Sequence, residues 1–392
     1  MLFALHAPWA IPALLAVRAV RPWVLVRMGT LFSSRIGHFL ADASILLAER
    51  DLMAPADRSI DLVWLPEETS NAQWARMVRR HLFVRWWVRY LDGFNRLLPG
   101  GKIHCLPWPT QNPSREIYSP LRKTQARLVF TSDEDARAKS WLKQRGWQEG
   151  EAFVCLLVRD SAYLGSHTLH SKFNWSYHDY RDSDIDTYVD AVEALLAKGY
   201  WVIRMGKIMH KPLPLRHPKV IDYPFVQDQD DLLDIWLSVK CSFFISTGTG
   251  IDVIPGIYEI PMVFVNALPL VFPGAAWHES VWVPKHLHWT KTGTPLTLGE
   301  HVRHAYTDSA EYASAGITIR GLEPDEITSA VMEIEQRSQG NWTESTIEAA
   351  RQQRYWQFVK SFPETQPFYS YIHPKARIGN AWLQSMGEAF FA

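Results

Sequence analysis

The segment 241–266, C-S-F-F-I-S-T-G-T-G-I-D-V-I-P-G-I-Y-E-I-P-M-V-F-V-N, constrains the fold more than any other part of the chain. Its apolar run 243–245 predicts a buried strand. Ser246, Thr247, Gly248, Thr249 and Gly250 predict a tight turn, 251–258 a helix, and 262–265 a second buried strand. Strand, small-residue turn and helix in immediate succession form the unit from which parallel α/β sheets are built. Such a turn places unpaired backbone N–H groups beside a helix N-terminus, a setting that suits a phosphate or diphosphate. Small side chains let a ligand approach the backbone closely. A plain tight turn requires one glycine, and T-G-T-G supplies two, which favours the anion-site reading over the plain turn.

The same alternation runs through the rest of the sequence. Strands are predicted at 23–28, 59–65 and 102–106, with a helix from the first loop to about Arg50, a long helix over 71–98 and another at 132–145. A second series begins with the continuous apolar strand 152–159, of the kind buried on both faces. A helix over 185–198, a strand in G-Y-W-V-I-R-M-G and a helix over 230–237 follow, and then the 241–266 segment. The stretches 107–120, 160–183 and 269–298 read as loops, and 324–336 and 343–358 as late helices. At 392 residues the chain exceeds what one core supports. The expected fold class is α/β, two facing Rossmann-like domains with an interdomain cleft. Residues 1–22 would form an apolar arm, 23–150 and 151–340 the two domains, and 341–392 helices packing back on the first domain.

A formal net charge of zero removes any global attraction to nucleic acid. Cys105, Cys155 and Cys241 sit inside apolar runs without metal-ligand spacing, as core residues of a reducing, cytoplasmic compartment. The first seventeen residues carry no formal charge, and Pro8, Pro12 and His6 interrupt them, which argues against a spanning helix. Two readings stay open for this arm: a segment lying among lipid headgroups, with Trp9 and Trp23 at the boundary, or an apolar cover packed on the first domain. The 74–98 stretch sets Arg76, Arg79, Arg80, Arg85, Arg89 and Arg96 against Asp92 alone, with Trp74, Val78, Leu82, Trp86, Tyr90 and Phe94 at near-helical spacing. That pattern fits peripheral contact with an anionic membrane, and equally a core-facing aromatic stripe backed by solvated arginines.

Three loops fall at the carboxyl ends of predicted strands, where open α/β sheets bind ligands. In S-S-R-I-G-H the acceptor-side candidates are Ser34, Arg35 and Gly37; His38 is a candidate base, and Asp42, one helical turn on, either orients it or acts itself. His38 could equally do no more than hydrogen-bond its loop. Arg159 emerges from a fully apolar strand, placed to grip a phosphate bidentately or to pair with Asp160. Arg204 and Lys207, ending the next strand, offer further cationic contacts. Asp182, Asp184 and Asp186 precede a helix, where acidic residues act as caps, although D-x-D also holds metal in some sugar transferases. There is no Walker loop, no G-x-S-x-G, no H-E-x-x-H and no complete dinucleotide fingerprint.

With R-I-G-H-F, F-V-C-L-L-V-R-D-S-A-Y-L, Y-R-D-S-D-I-D, G-Y-W-V-I-R-M-G and F-F-I-S-T-G-T-G, the chain resembles bacterial glycosyltransferases of the two-Rossmann (GT-B) type associated with surface polysaccharide synthesis. The loop with Ser33, Ser34 and Gly37 and the turn at 246–250 are similar to those of heptosyltransferases, but His38 stands where their catalytic aspartate would be. Arg159 resembles a donor-binding arginine of certain fucosyltransferases, with Leu157 where they carry histidine. The resemblance implies a nucleotide-sugar donor on the second domain, a glycan or lipid-linked glycan acceptor, inversion at the anomeric carbon, no cofactor and no metal, with the work done at the inner face of the cytoplasmic membrane. A non-catalytic glycan- or nucleotide-binding component of polysaccharide assembly, and a nucleotide-dependent oxidoreductase, are the alternatives.

Overall fold

The computed structural model describes residues 2–53, 59–66, 68–106, 120–162, 176–270, 278–362 and 373–392. Most of the loops expected over 107–120 and 160–183 lie outside them, as does Tyr163. The chain divides into two compact units, Met1–Thr131 and Ser132–Ala392. Both are mixed α/β.

In the first unit, β1 (Leu25–Thr30), β2 (Ser59–Trp64) and β3 (Phe83–Val84) form a parallel sheet in that order. Arg27 faces Asp61 across the first pair, and its guanidinium donates to both carboxylate oxygens at 2.7 and 2.9 Å, buried. A charge pair in a parallel ladder fixes register, since a one-residue slip would bury each charge without its partner. Helix α2 (Ile36–Leu52) follows β1. The single long helix expected over 71–98 is instead two, α3 (Ala72–His81) and α4 (Val88–Leu97), because the β-branched and aromatic residues between them supply β3. The strand expected at 102–106 is a 3-10 turn, Gly101–His104, with one bridge from Cys105 to Met28. The arm is helical as α1 (Ala7–Ala19), and Ala10 and Leu14 pack with Met28, Val88 and Leu91.

The second unit opens with α5 (Ser132–Lys143), nineteen residues before the expected boundary at 151. This helix belongs there because its apolar face meets the later chain. Trp141 packs edge-on against Tyr223, and Asp135 accepts from Trp236 Nε1 at 3.0 Å. The sheet holds seven parallel strands in the order β12-β9-β8-β7-β4-β5-β6. They are β4 (Phe153–Leu157), β5 (Trp201–Arg204), β6 (Val220–Asp222), β7 (Phe244–Ser246), β8 (Met262–Ala267), β9 (Ser280–Pro284) and β12 (Arg377–Ile378). Every residue of β4, β5, β7, β8 and β9 is buried, as expected for strands covered on both faces. Helices α6 (Val189–Ala197), α7 (Asp231–Lys240) and α8 (Val253–Ile257) link these strands. The region expected to be loop after residue 269 contains β9 and the antiparallel pair β10 (His286–Trp289) and β11 (Ile317–Arg320). Helices α9 (Leu298–Arg303) and α10 (Ser309–Ser314) lie between β10 and β11.

The tail joins the second unit and not the first. After α11 (Pro324–Ser338) and α12 (Thr346–Ser361), β12 becomes the edge strand beside β9, and α13 (Asn380–Met386) packs on α11. Buried Gln352 of α12 holds β12 from both sides: its amide donates to the Ile378 carbonyl at 2.6 Å and accepts from the Ile378 N–H at 3.1 Å. Replacing Gln352 by Leu keeps the volume but leaves both backbone groups without that partner. We expect Gln352→Leu to cost about 2–6 kcal/mol, because each of the two buried polar groups left unsatisfied costs roughly 1–3. A lowered urea midpoint would show it, and an unchanged midpoint would mean that the tail is held by other contacts.

Candidate functional site

The chain runs from β4 outward through β5 and β6, then returns to the other side of β4 and runs outward through β7, β8 and β9. The strand order therefore reverses between β4 and β7. At such a point the two connections leave in opposite directions and open a crevice beyond the carboxyl ends of the strands. Leu157 pairs with Ser246 at the last rung of β4 and β7. One step further, the Arg159 N–H donates to Thr247 Oγ1 at 2.9 Å, buried. The Arg159 carbonyl accepts from Ser183 N at 3.0 Å, which ties the 3-10 turn Ser176–Arg181 to the same place.

Four charged side chains meet there. Arg159 Nη1 forms a close pair with the Asp182 carboxylate, and Lys285, just past β9, donates from Nζ to the Asp182 carbonyl at 2.5 Å. Arg181 Nη2 donates to the Gly248 carbonyl in the turn after β7. Burial lowers the Arg159 pKa against the pull of Asp182, and burial likewise raises that of Asp182 against the pull of Arg159. Lys285 is lowered to about 8, chiefly by burial, with Asp182 opposing and Arg159 adding to the drop. The cluster is thus partly desolvated and crowded, with Asp160 and Asp179 also within electrostatic reach of Asp182, and its guanidiniums and ammonium are donors from which a phosphate oxygen gains strong hydrogen bonds.

The turn differs from the sequence expectation in one respect. Gly248 has φ +83°, a left-handed conformation that favours glycine. Two amides expected to face an anion are instead used inside the turn. Gly248 N donates to Ser246 Oγ at 3.0 Å, and Thr249 N donates to the buried carboxylate of Asp252, which also accepts from Ser246 Oγ at 2.9 Å. Asp252 occupies the N-cap position of α8, which is five residues long and begins two residues later than expected. The positive elements at this crevice are therefore side chains, Arg159, Arg181 and Lys285.

Arg204 does not join them. It is buried, donating to the Lys211 carbonyl at 2.7 Å and to Asp222 at 3.3 Å, so its charge is neutralised on the β5–β6 side of the sheet. Lys207 pairs with Asp231 at 3.0 Å. Arg159 takes Asp182 as its partner, while Asp160 accepts from the backbone of Ala162 and His210. Asp184 caps the turn Ile185–Tyr188, and Asp184 and Asp186 both pair with Lys211.

In the first unit the loop after β1 carries Ser34 and Arg35, with Arg35 at the N-cap of α2, while Gly37, expected in the loop, lies in the first turn of the helix; all three are half-buried. His38, half-buried in the first turn, packs edge-on against Phe32 at 5.1 Å. Burial, and secondarily Arg35, lowers its pKa, so its ring is neutral at pH 7. Asp42 is 3% exposed on the inner side of α2, which fits a packing and orienting position better than direct contact with substrate.

Three residues of the second-unit site were missed in the sequence. Arg181 adjoins the acidic run, which reads as a cap. Asp252 lies two residues past T-G-T-G, where its fit as a turn-closing acceptor was legible. Lys285 ends V-W-V-P-K, an apolar run with the signal of a buried strand.

These features define an α/β protein with a large parallel sheet and a charged crevice at its switch point. No known family profile and no curated protein matches the sequence. Among solved structures, the chain is similar to a glycosyl transferase family 9 protein from Veillonella parvula, with 10% identity, a TM-score of 0.42, and coverage of 66% of this chain and 86% of that one. It is also similar to ADP-heptose LPS heptosyltransferase II from E. coli, with 10% identity, a TM-score of 0.37, and coverage of 66% and 85%. Residue roles do not pass between chains at such identities.

Asp252 generates a pH prediction. Burial raises its carboxyl to about 6 from 3.8, so the folded chain holds this proton more tightly than the unfolded chain does. The contribution to stability is full below 3.8 and is lost as pH rises through 6. On lowering the pH from about 7 to about 4, the parent should gain stability relative to Asp252→Asn. Parallel unfolding midpoints for the two proteins across that range would refute the assignment.

Proposed function

We propose that the protein is a glycosyltransferase whose second unit binds the diphosphate of a nucleotide-sugar donor at the switch point between β4 and β7. The observation that carries this reading is the convergence of Arg159, Arg181 and Lys285 on the carboxyl ends of β4, β7 and β9. A dinucleotide cofactor at the same crevice would call for a glycine-rich turn after the first strand of the unit. Here β4 runs into Val158-Arg159-Asp160.

In the proposed reaction an acceptor hydroxyl attacks the anomeric carbon as the bond to the diphosphate oxygen breaks, with inversion. The departing diphosphate gains negative charge. Two guanidiniums and an ammonium fixed around it stabilise that charge without reorganising, as a metal does in other transferases. Arg181 and Arg159 are assigned to the phosphates and Lys285 to the same charge from the β9 side. His38 is assigned as the base that takes the hydroxyl proton, with Asp42 supporting α2 behind it, and the acceptor is a glycan or lipid-linked glycan.

Thermal unfolding against UDP, GDP, ADP, CMP and NAD, each with and without magnesium, tests the donor class. Saturation at ~100-fold the dissociation constant adds about 2.7 kcal/mol, a shift of several degrees. We expect one nucleoside diphosphate to raise the midpoint with or without magnesium, and Arg181→Ala and Arg159→Ala to abolish the shift. A response to NAD alone would overturn the reading, and nucleotide binding with no turnover of any sugar donor would leave a binding protein. Once a donor is known, His38→Ala should lower kcat/KM by about 10²–10⁴-fold. Because the neutral ring is the base and its pKa is lowered, the acid limb of the parent profile should lie below pH 6.5. The same limb in Asp42→Asn would assign it to His38, and its loss there would move the role to Asp42.

A further inference from the structure

Helix α1 is apolar on both sides. Its inner side, Ala10 and Leu14, is buried against Met28, Val88 and Leu91. Its outer stripe is Pro8, Ile11, Pro12, Leu15, Ala16 and Ala19, all exposed and none of them polar. A helix of this kind is normally covered all round, and here one side is open to solvent among the described residues. Tryptophans mark both ends of the stripe. Trp86 is 63% exposed beside His6, at a ring separation of 6.5 Å, and Trp23 is 83% exposed just past the last turn. Leu5 adds a further exposed apolar side chain at the first end.

The charges around this stripe have one sign. No acidic residue precedes Asp42 in the sequence, whereas the exposed Arg21 lies just past the stripe. Exposed Arg85 adjoins Trp86, and Asp92, the acid of α4, is buried against Trp64 Nε1 and Arg96. The asymmetry extends to the whole unit. Residues 1–131 contain 17 Lys and Arg against 9 Asp and Glu, and residues 132–392 contain 24 against 32. The neutral total therefore conceals a strongly cationic first unit.

We propose that the first unit docks on an anionic lipid bilayer, with α1 lying in the plane of the headgroups. The outer stripe enters the acyl boundary, Trp23 and Trp86 sit at headgroup level at its two ends, and the exposed Arg21 and Arg85 meet lipid phosphates. This is the geometry of an interfacial helix with aromatic anchors and a cationic border. The in-plane orientation follows from length: thirteen residues span about 20 Å, short of the ~30 Å hydrocarbon core. No helix among the described residues is long and apolar enough to cross a membrane. The proposal goes beyond the transferase reading and does not depend on it.

Flotation of the full chain with phosphatidylcholine vesicles, with and without ~30% phosphatidylglycerol, tests it without any use of turnover. We expect binding to the anionic vesicles at least tenfold stronger than to the neutral ones, and weakened by salt. Leu15→Glu and Trp23→Glu change exposed side chains, so they should keep the parent melting point while lowering vesicle binding about tenfold or more. Arg21→Glu paired with Arg85→Glu should reduce binding to anionic vesicles and leave the weak neutral binding as it was. Should Leu15→Glu fold poorly, Leu15→Ser and Ile11→Ser are the milder probes, with a smaller drop expected. Equal binding by parent and stripe variants would overturn the proposal. So would a lipid-free dimer that Leu15→Glu dissolves, which would make the stripe an interface between copies.

Discussion

The hydrogen bond from the Arg159 amide to Thr247 Oγ1 closes the last gap between two strands that are neighbours in space and nearly ninety residues apart in sequence. Strand β4 lies between β5 and β7 with every residue buried, so the two halves of the sheet are organised around it. Because the connections diverge at that pair, the backbone around Asp182 and side chains from separate loops meet beyond it. Arg159, Arg181 and Lys285 reach it from three different parts of the sequence; Asp182 pairs with Arg159, and Asp179 and Asp252 lie within electrostatic reach of the arginines. Two of the cations have lowered pKa values because burial disfavours their charge and a neighbouring cation repels it, Arg181 for Arg159 and Arg159 for Lys285. An anion bound there would relieve that repulsion between the cations.

The first unit solves a different problem. Its sheet has three short strands, too few to bury a large core alone. The Arg27–Asp61 pair fixes the register of β1 and β2, while α1 and α4 cover the sheet near Met28. Using α1 as that cover leaves its second apolar side open, so the same helix both completes the core and exposes a nonpolar stripe.

Much of this was legible in the sequence because burial on both faces leaves an unmistakable trace. The runs F-V-C-L-L, W-V-I-R and M-V-F-V-N are strands of the second sheet, and G-T-G does hold a left-handed glycine at Gly248. What failed did so for physical reasons. The periodicity of 71–98 suggested one helix, but Phe83 and Val84 pair with β2, and tertiary hydrogen bonding overrode the local pattern. The apolar run V-W-V-P carries a strand signal, but it sits inside the stretch 269–298 that reads as loop, and it forms β9. The turn at 246–250 was read as offering its amides outward, whereas Asp252 and Ser246 draw two of them inward. Arg204 had the right position by strand counting, yet Asp222 on the next strand neutralises it, a pairing that no spacing along the chain reveals.

The opposed charge of the two units bears on how molecules of this protein meet one another. Near its neutral isoelectric point the chain has no net repulsion to keep copies apart, while the cationic part of one molecule attracts the anionic part of the next. Such attraction is strongest in dilute buffer and fades once the screening length falls to ~8 Å, at physiological ionic strength. The chain should therefore be a protein that added salt brings into solution, with turbidity at low salt reflecting contacts between unlike halves of intact folded molecules.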